Sequence, residues 1–259
     1  MKRSDLICEN AVINAKEEDL FVHKKEINGT KTELVTISEE QSERYGKASG
    51  SYYTLYIEDG DVKGAVASVI KELIPEGKVL VVGLGNSEIA SDRLGSASLS
   101  FVPATAHLSS HEDFTFLGLR EVSVIGAGVT GKSGIESSDY IRYIAEGEKA
   151  DFVIAVDSLA CSSRERLCRT VQITDTGISP GSGVGNTRKR LDKTVCGIPV
   201  IAVGVPTVMD FTDEEGEKLM VTPRNIDIHV KKLSEIIGIG ISMALNPSLS
   251  ESEIRKLII

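Results

Sequence analysis

Residues 79–84 read VLVVGL, a short and continuously apolar run that is followed at once by the polar loop Gly85-Asn86-Ser87-Glu88. Three further runs of this kind occur later in the chain, at 122–125, 152–156 and 198–205. Stretches with apolar residues at helical spacing separate them. Continuously apolar strands that alternate with helices predict a mainly parallel sheet covered by helices on both faces, and therefore an α/β protein.

The rest of the chain extends this pattern. Helices are predicted at 62–74, which stops at Pro75, and at 137–145, 162–168 and 225–245; two strand-like patches occur at 32–37 and 52–57. No repeat or linker divides the chain. We therefore expect one α/β domain, in which residues 1–75 form an N-terminal extension packed on a core formed by residues 76–259.

The composition argues against nucleic acid and membranes as partners. The 259 residues contain 29 Lys+Arg against 38 Asp+Glu, a formal charge of −9, which disfavours binding to nucleic acid. No apolar run approaches the roughly 18 residues of a membrane span, and no apolar segment follows the first five residues as in a secretory signal. We expect a cytoplasmic protein with no membrane contact.

Cysteine and histidine show no metal-binding spacing. The four cysteines contain no CxxC pair, so free thiols are expected, and the four histidines do not form an HExxH motif. The sequence therefore predicts neither a bound metal nor a cofactor.

Ligands of open α/β sheets collect beyond the carboxyl ends of the strands, which directs attention to the loops there. The glycines of residues 83–86 (GLGN) could cradle a phosphate, although a tight strand-to-helix turn explains them more simply. Residues 126–133 (GAGVTGKS) satisfy the spacing of a phosphate-binding P-loop, but no strand supplies the carboxylate that such a site requires.

Asp92 and Asp157 each follow an apolar run and are candidates for acid/base chemistry. One carboxylate could accept a proton from water while the other donates one. Both could instead be helix N-caps, and the spacing alone supports either interpretation. Residues 175–177 read Asp-Thr-Gly, a tripeptide of pepsin-like proteases, but those enzymes are all-β and use two copies.

Longer segments carry a more specific signal. Residues 172–186 read QITDTGISPGSGVGN, and similar agreement extends over residues 83–95, 128–136, 153–166, 197–208 and 219–223. Together they resemble the germination protease family of spore-forming bacteria over residues 79–245, and more loosely over the N-terminal third. The resemblance implies a three-layer α/β/α sandwich with a mostly parallel mixed sheet, similar to hydrogenase maturation proteases.

The resemblance also implies a function. The family comprises atypical aspartic endopeptidases that degrade small acid-soluble spore proteins during germination, in the forespore and spore core. Members are homotetramers made as zymogens, and their two essential aspartates match Asp92 and Asp157. Further residues are expected to bind substrate or shape loops, namely Asn86, Glu136, Asp175, Gly177 and Asn186.

A cleavage site is expected between Asp5 and Leu6. The family's substrates resemble one another around the cut, with an acidic residue before it, an apolar residue after it and a glutamate three positions further on. Asp5, Leu6 and Glu9 reproduce that order, as the family's propeptide junction does. The resemblance therefore implies a zymogen that processes itself there.

The sequence departs from the family pattern at two places. Ala90-Ser91 and Arg93 flank Asp92 where the family has Thr-Pro and Ala, and an inward-pointing Arg93 would lower the pKa of that carboxylate. The family's long insert is reduced to residues 209–219. Two other functions stay open: a metal-assisted peptidase of the hydrogenase maturation type, which needs a histidine at the site, and a non-catalytic sporulation protein that only binds.

Overall fold

The computed structural model describes residues 4–9, 22–111, 114, 117–181, 189–212 and 216–258. Within those ranges, nine strands form one sheet in the order β1-β2-β3-β7-β8-β6-β4-β5, with β9 paired to β8. The strands are β1 (Val22–Ile27), β2 (Thr30–Ile37), β3 (Gly50–Tyr56), β4 (Val79–Leu84), β5 (Val122–Gly128), β6 (Phe152–Cys161), β7 (Thr170–Thr174), β8 (Val200–Thr212) and β9 (Lys218–Val221).

The sheet is mixed, as predicted. Strands β5, β4, β6 and β8 are mutually parallel and arise from the four apolar runs. The remaining neighbours pair antiparallel, so that β1, β2 and β3 from the N-terminal part join the same sheet through β7. Residues 209–212 of β8 pair antiparallel with residues 218–221 of β9.

Helices cover both faces and complete the three layers. The described helices of the chain are α1 (Glu39–Tyr45), α2 (Val62–Leu73), α3 (Leu94–Leu99), α4 (Thr130–Ser133), α5 (Ser137–Glu148), α6 (Lys193–Cys196), α7 (Ile226–Leu245) and α8 (Glu251–Leu257). Apolar side chains of α2, α3 and α7 pack on one face of the sheet, and α5 packs on the other. The predicted α/β/α sandwich is confirmed. None of the described helices is long and apolar enough to cross a membrane.

The helix predicted at 162–168 is not formed, and backbone N–H groups at both ends of this segment donate to residues far away in sequence. The N–H groups of Ser162 and Ser163 donate to the carboxylate of Glu9, and the N–H of Cys168 donates to the carbonyl of Pro206 at 2.7 Å. Cys168 also has a φ of +57°, which a right-handed helix excludes. The segment forms successive turns instead.

The strands at the centre of the sheet have unequal lengths. Strand β4 pairs with β6 only as far as Gly83 opposite Val156. Strand β6 continues beyond that point and stays paired with β8 as far as Cys161. Asp157 therefore lies inside a strand, not beyond its end as the sequence indicated, and it is the first residue of β6 after its pairing with β4 stops.

A close backbone contact fixes the helix that follows β4. A Cβ atom at Gly95, in the first turn of α3, would lie 2.4 Å from the carbonyl oxygens of both Leu84 and Val156. A Cβ at Gly83 would in turn meet the backbone of Gly95 at 2.6 Å. Only glycine allows α3 to sit this near the ends of β4 and β6.

We expect Gly95→Ala to lower the free energy of unfolding by about 2 kcal/mol, because the added methyl group meets backbone atoms that cannot rotate away. Urea unfolding followed by circular dichroism measures the change. Gly147→Ala is the matched control, since Gly147 lies in α5 with no atom within 4 Å of the added Cβ. It should be neutral or stabilise by up to about 1 kcal/mol. Equal effects of the two substitutions would contradict this packing.

Candidate active site

A cavity of about 350 Å³ opens where β4 ends. Asp92 and Asp157 both line it, together with Asp5 from the N-terminal segment. The walls also include Leu84, Gly85, Ser91, Gly128, Val129, Ser137, Ser158, Thr207, Met220 and Thr222. The structure therefore brings both predicted catalytic carboxylates to one cavity at the carboxyl ends of the parallel strands, where ligands of such sheets bind.

Asp157 is a buried carboxylate whose side chain is 4% exposed. Its Oδ1 accepts a hydrogen bond of 2.8 Å from the N–H of Ser158. A buried carboxylate is seldom placed in a strand without hydrogen bonds or a chemical role. Its position follows from the early end of β4, which opens a cavity at this point of β6.

Asp92 is positioned by the loop after β4. Its Oδ2 accepts a hydrogen bond of 2.7 Å from the N–H of Asn86. Gly85 has a φ of +91°, and a Cβ there would lie 2.1 Å from the carbonyl oxygen of Asp92, so the loop requires glycine. The side chain of Asn86 accepts from the N–H of Glu88 at 3.1 Å. The GLGN segment is thus a tight turn that holds Asp92.

Neither aspartate is a helix N-cap, which removes the alternative left open by the sequence. Asp157 lies within β6, and the N-cap of α3 is Arg93. Arg93 donates to the carboxylate of Asp227 at 2.6 Å, in a surface ion pair outside the cavity. The inward-pointing cation considered from the sequence is therefore not formed.

Two hydroxyl groups add hydrogen-bonding capacity to the cavity wall. Ser158 Oγ and Thr207 Oγ1 are buried, and neither has a hydrogen-bond partner within the described part of the chain. Both residues line the cavity. Such groups can serve a bound peptide or an ordered water. Sequence reasoning missed both residues, because no motif marks an isolated hydroxyl.

The N-terminal segment reaches this site through hydrogen bonds to β6. The N–H of Asp5 donates to the carbonyl of Ala160 at 3.0 Å, and the N–H of Ala160 donates back to Asp5 Oδ2 at 2.8 Å. Leu6 is fully buried against Leu159 and Cys161. The segment is thus hydrogen-bonded to the part of β6 that lies beyond its pairing with β4.

Glu9 anchors the other end of the segment. Its side chain accepts hydrogen bonds from the N–H of Ser162 at 2.6 Å, the hydroxyl of Ser162 at 2.8 Å and the N–H of Ser163 at 3.0 Å. The guanidinium of Arg166 lies 3.9 Å away, and Glu9 is 5% exposed. A buried carboxylate with this many donors is strongly held. Asp5 and Glu9 therefore fix the segment at both ends.

Three of the other predicted site residues, Glu136, Asp175 and Gly177, do not line the cavity. Asp175 is exposed and accepts from the N–H of Ser51 at 2.8 Å, which ties its loop to β3. Gly177 has a φ of +75° and lies against the carbonyl of Leu191. Glu136 precedes α5 without capping it through its side chain, and Asn186 falls outside the described residues.

The segment that resembled a P-loop does not wrap around a phosphate site. Gly126 and Gly128 belong to β5, and a helix of four residues, α4, follows. Lys132 forms an ion pair with Glu88 at 2.6 Å. The glycine spacing here serves a strand and a short turn.

The described residues contain no group of three His, Cys, Asp or Glu side chains that could hold a metal ion. All four histidines lie in the described ranges, and none of them lines the cavity. A histidine ligand, which a peptidase of the hydrogenase maturation type would need, is not supplied there by this chain's own residues.

The four cysteines are buried free thiols. Burial raises the pKa of Cys161 to about 12 and the pKa values of Cys168 and Cys196 to about 11, and it also raises the pKa of Cys8. These thiols stay protonated near neutral pH and are poor nucleophiles. The two aspartates are therefore the better candidates for the chemistry of the cavity.

The structure shows an α/β protein with two aspartates in the lining of one cavity, and comparisons with known proteins identify the family. The germination protease model matches residues 4–215. The germination protease of Geobacillus sp. (strain WCH70) is 43% identical over 209 residues, which cover 74% of this chain and 56% of the relative. The one from Caldanaerobacter subterraneus subsp. tengcongensis is 33% identical over 316 aligned positions, 99% of this chain and 98% of the relative. The chain belongs to the germination protease family.

Among solved structures, the NiFe hydrogenase maturation protease HycI of Thermococcus kodakarensis KOD1 aligns with a TM-score of 0.39 and 16% identity, over 67% of this chain and 98% of that chain. The fold assignment rests on the sheet and helices described above. The resemblance to the germination protease family that the sequence predicted is confirmed by the family model and by the relatives above.

We expect the folded protein to resist a thiol reagent such as DTNB for at least an hour at pH 7.5. The raised pKa values keep the thiols protonated there, and burial excludes the reagent. Unfolding in guanidinium should release all four equivalents. Rapid reaction of one thiol, identified as Cys8 by peptide mapping, would show that the N-terminal segment is not docked as described.

Proposed function

We propose that this chain is an endopeptidase in which Asp92 and Asp157 activate water for peptide-bond hydrolysis. The observation that carries the proposal is that a peptide of the chain itself enters the cavity lined by both aspartates, with Asp5 forming part of the wall. Membership of the germination protease family supports the same activity. A paired-carboxylate cavity that holds a peptide is suited to acid/base hydrolysis.

The chemistry needs the two carboxyl groups in different protonation states. The ionised one takes a proton from water, which attacks the peptide carbonyl carbon, and the protonated one donates to the departing amine. The free hydroxyls of Ser158 and Thr207 can bind the substrate backbone or the water.

The substrates proposed are small acid-soluble spore proteins, hydrolysed in the spore core at germination by a homotetramer that requires no cofactor. We propose these substrates, this assembly and this setting because the chain belongs to the germination protease family. For the same reason we propose that the chain cuts its own N-terminus between Asp5 and Leu6. Asp5 in the cavity, Leu6 in an apolar contact and Glu9 bound to several donors match the order expected around the cut. Residues 1–5 are then the part of the N-terminal extension that is removed.

Asp92→Asn and Asp157→Asn should each reduce cleavage of a small acid-soluble spore protein by at least about 1,000-fold, because either change removes one half of the acid/base pair. Cleavage is followed by gel electrophoresis and mass spectrometry, with and without a chelator, and circular dichroism checks the fold. Asp175→Asn is the matched control, since this exposed carboxylate lies outside the cavity.

Four results would contradict this assignment. Full activity in either variant of the pair would exclude it as the catalytic machinery. An inactive but folded Asp175→Asn variant beside an active Asp157→Asn variant would transfer the role to the Asp-Thr-Gly tripeptide. Cleavage abolished by a chelator would favour a metal-assisted peptidase, and no cleavage under any condition would favour a binding protein.

The intact protein should lose residues 1–5 on incubation near pH 5. The cut is expected because Asp5 lies in the cavity that both aspartates line. Intact mass measures the loss, and Asp157→Asn should stay full length. A native protein that stays full length while degrading spore proteins would show that the match at Asp5, Leu6 and Glu9 is accidental.

A further inference from the structure

A lysine contacts the peptide bond at which self-processing is proposed. Nζ of Lys47 donates a hydrogen bond of 3.0 Å to the carbonyl oxygen of Asp5, the oxygen of the Asp5–Leu6 bond. The two residues are 42 positions apart in sequence, so the contact is made by the fold and not by local geometry. No motif in the sequence marks Lys47.

The loop that carries Lys47 is held in place from both sides. The preceding helix α1 ends at Gly46 with a φ of +62°, which turns the chain back toward the sheet. The carbonyl of Lys47 accepts from the hydroxyl of Ser42 at 2.6 Å, and the carbonyl of Ala48 accepts from the hydroxyl of Tyr52 at 2.8 Å. The ammonium group is thus delivered from a supported turn.

Lys47 is partly buried, which strengthens the interaction of its ammonium group with a nearby negative charge. It lines a small second cavity of about 80 Å³ next to the first, and Asp5 lines both. Burial lowers the pKa of Lys47, while the charge of Asp5 acts in the opposite direction. A partly desolvated ammonium interacts with a developing negative charge more strongly than one in bulk water.

We propose that Lys47 is a catalytic residue, whose ammonium group binds the carbonyl oxygen of the scissile bond and stabilises the oxyanion formed there. The inference rests on the proposed function, because it takes Asp5–Leu6 as the bond that is cut. The same position would receive the scissile carbonyl of a protein substrate once the N-terminal segment has left. The two aspartates then need to handle only protons.

The step balances without a further reagent. Water adds to the carbonyl carbon of Asp5, its proton passes to the ionised carboxylate of the pair, and the carbonyl oxygen becomes an oxyanion bound by Lys47. The bond from that carbon to the nitrogen of Leu6 then breaks as the protonated carboxyl group of the pair donates its proton to the nitrogen. The products are a carboxylic acid at Asp5 and an amine at Leu6, and Lys47 keeps all its protons.

A purely structural role for Lys47 would be to tether the N-terminal segment. A tether contributes to ground-state binding, so its loss would raise KM and leave kcat in place. An oxyanion donor acts in the transition state, so its loss lowers kcat and leaves KM nearly unchanged. The two roles therefore separate in steady-state kinetics on a peptide cleaved in trans.

The test uses the full chain and a synthetic peptide with the sequence of residues 1–12. Three variants are compared with the native protein: Lys47→Met, which removes the charge at similar length, Lys47→Arg, which keeps it, and Lys71→Met. Lys71 is the matched control because it is an exposed lysine in the last turn of α2. Self-processing is measured by intact mass, peptide cleavage by chromatography and folding by thermal unfolding.

Lys47→Met should lower kcat for the peptide, and the rate of self-processing, by about 100-fold with KM changed less than threefold. Lys47→Arg should recover at least about a tenth of the native kcat, and Lys71→Met should match the native protein. A folded Lys47→Met variant with native kcat, or with raised KM alone, overturns the role of Lys47 and leaves the proposed endopeptidase standing. If the native protein cuts neither itself nor the peptide at this bond, self-processing there is wrong and the inference falls with it.

Discussion

The unequal length of two neighbouring strands is the constraint on which the site depends. Strand β4 stops pairing with β6 at Val156, whereas β6 remains paired with β8 as far as Cys161. Beyond that point Asp157 lines the cavity, and Ala160 exchanges hydrogen bonds with Asp5 of the N-terminal segment. The part of β6 that β4 does not pair with therefore carries both Asp157 and the contact with the N-terminal segment.

Close contacts at two glycines position the loop that carries Asp92, the second aspartate of the cavity. Gly95 lets α3 approach the carbonyl oxygens of Leu84 and Val156, and Asp92, in the loop between β4 and α3, lines the cavity. The loop's own Gly85 is in contact with Asp92. The N-terminal segment then completes the arrangement with Asp5, so that three distant parts of the sequence meet at one cavity.

Sequence patterns predicted the order and type of the core strands well. The predictions that differ from the structure do so for physical reasons. Continuous apolar runs identify buried parallel strands, which is why 79–84 was located to the residue. They do not show where a neighbouring strand ends, so Asp157 was expected beyond β6. The region 162–168 has helical spacing, but its backbone groups are taken by Glu9 and Pro206, which lie far away in sequence. Lys47 was missed because its contact with Asp5 joins residues 42 positions apart, which no local pattern shows.

The site as described depends on the docking of the N-terminal segment, and amide hydrogen exchange measured by NMR tests that docking most directly. The N–H groups of Ser162 and Ser163 donate to the carboxylate of Glu9. In the intact protein they should exchange at least about 100-fold more slowly than in an unfolded chain, and Glu9→Ala should remove that protection while the amide of Ile173 in β7 stays slow. Unprotected exchange of Ser162 and Ser163 in the intact protein would contradict the docking of the segment across the site.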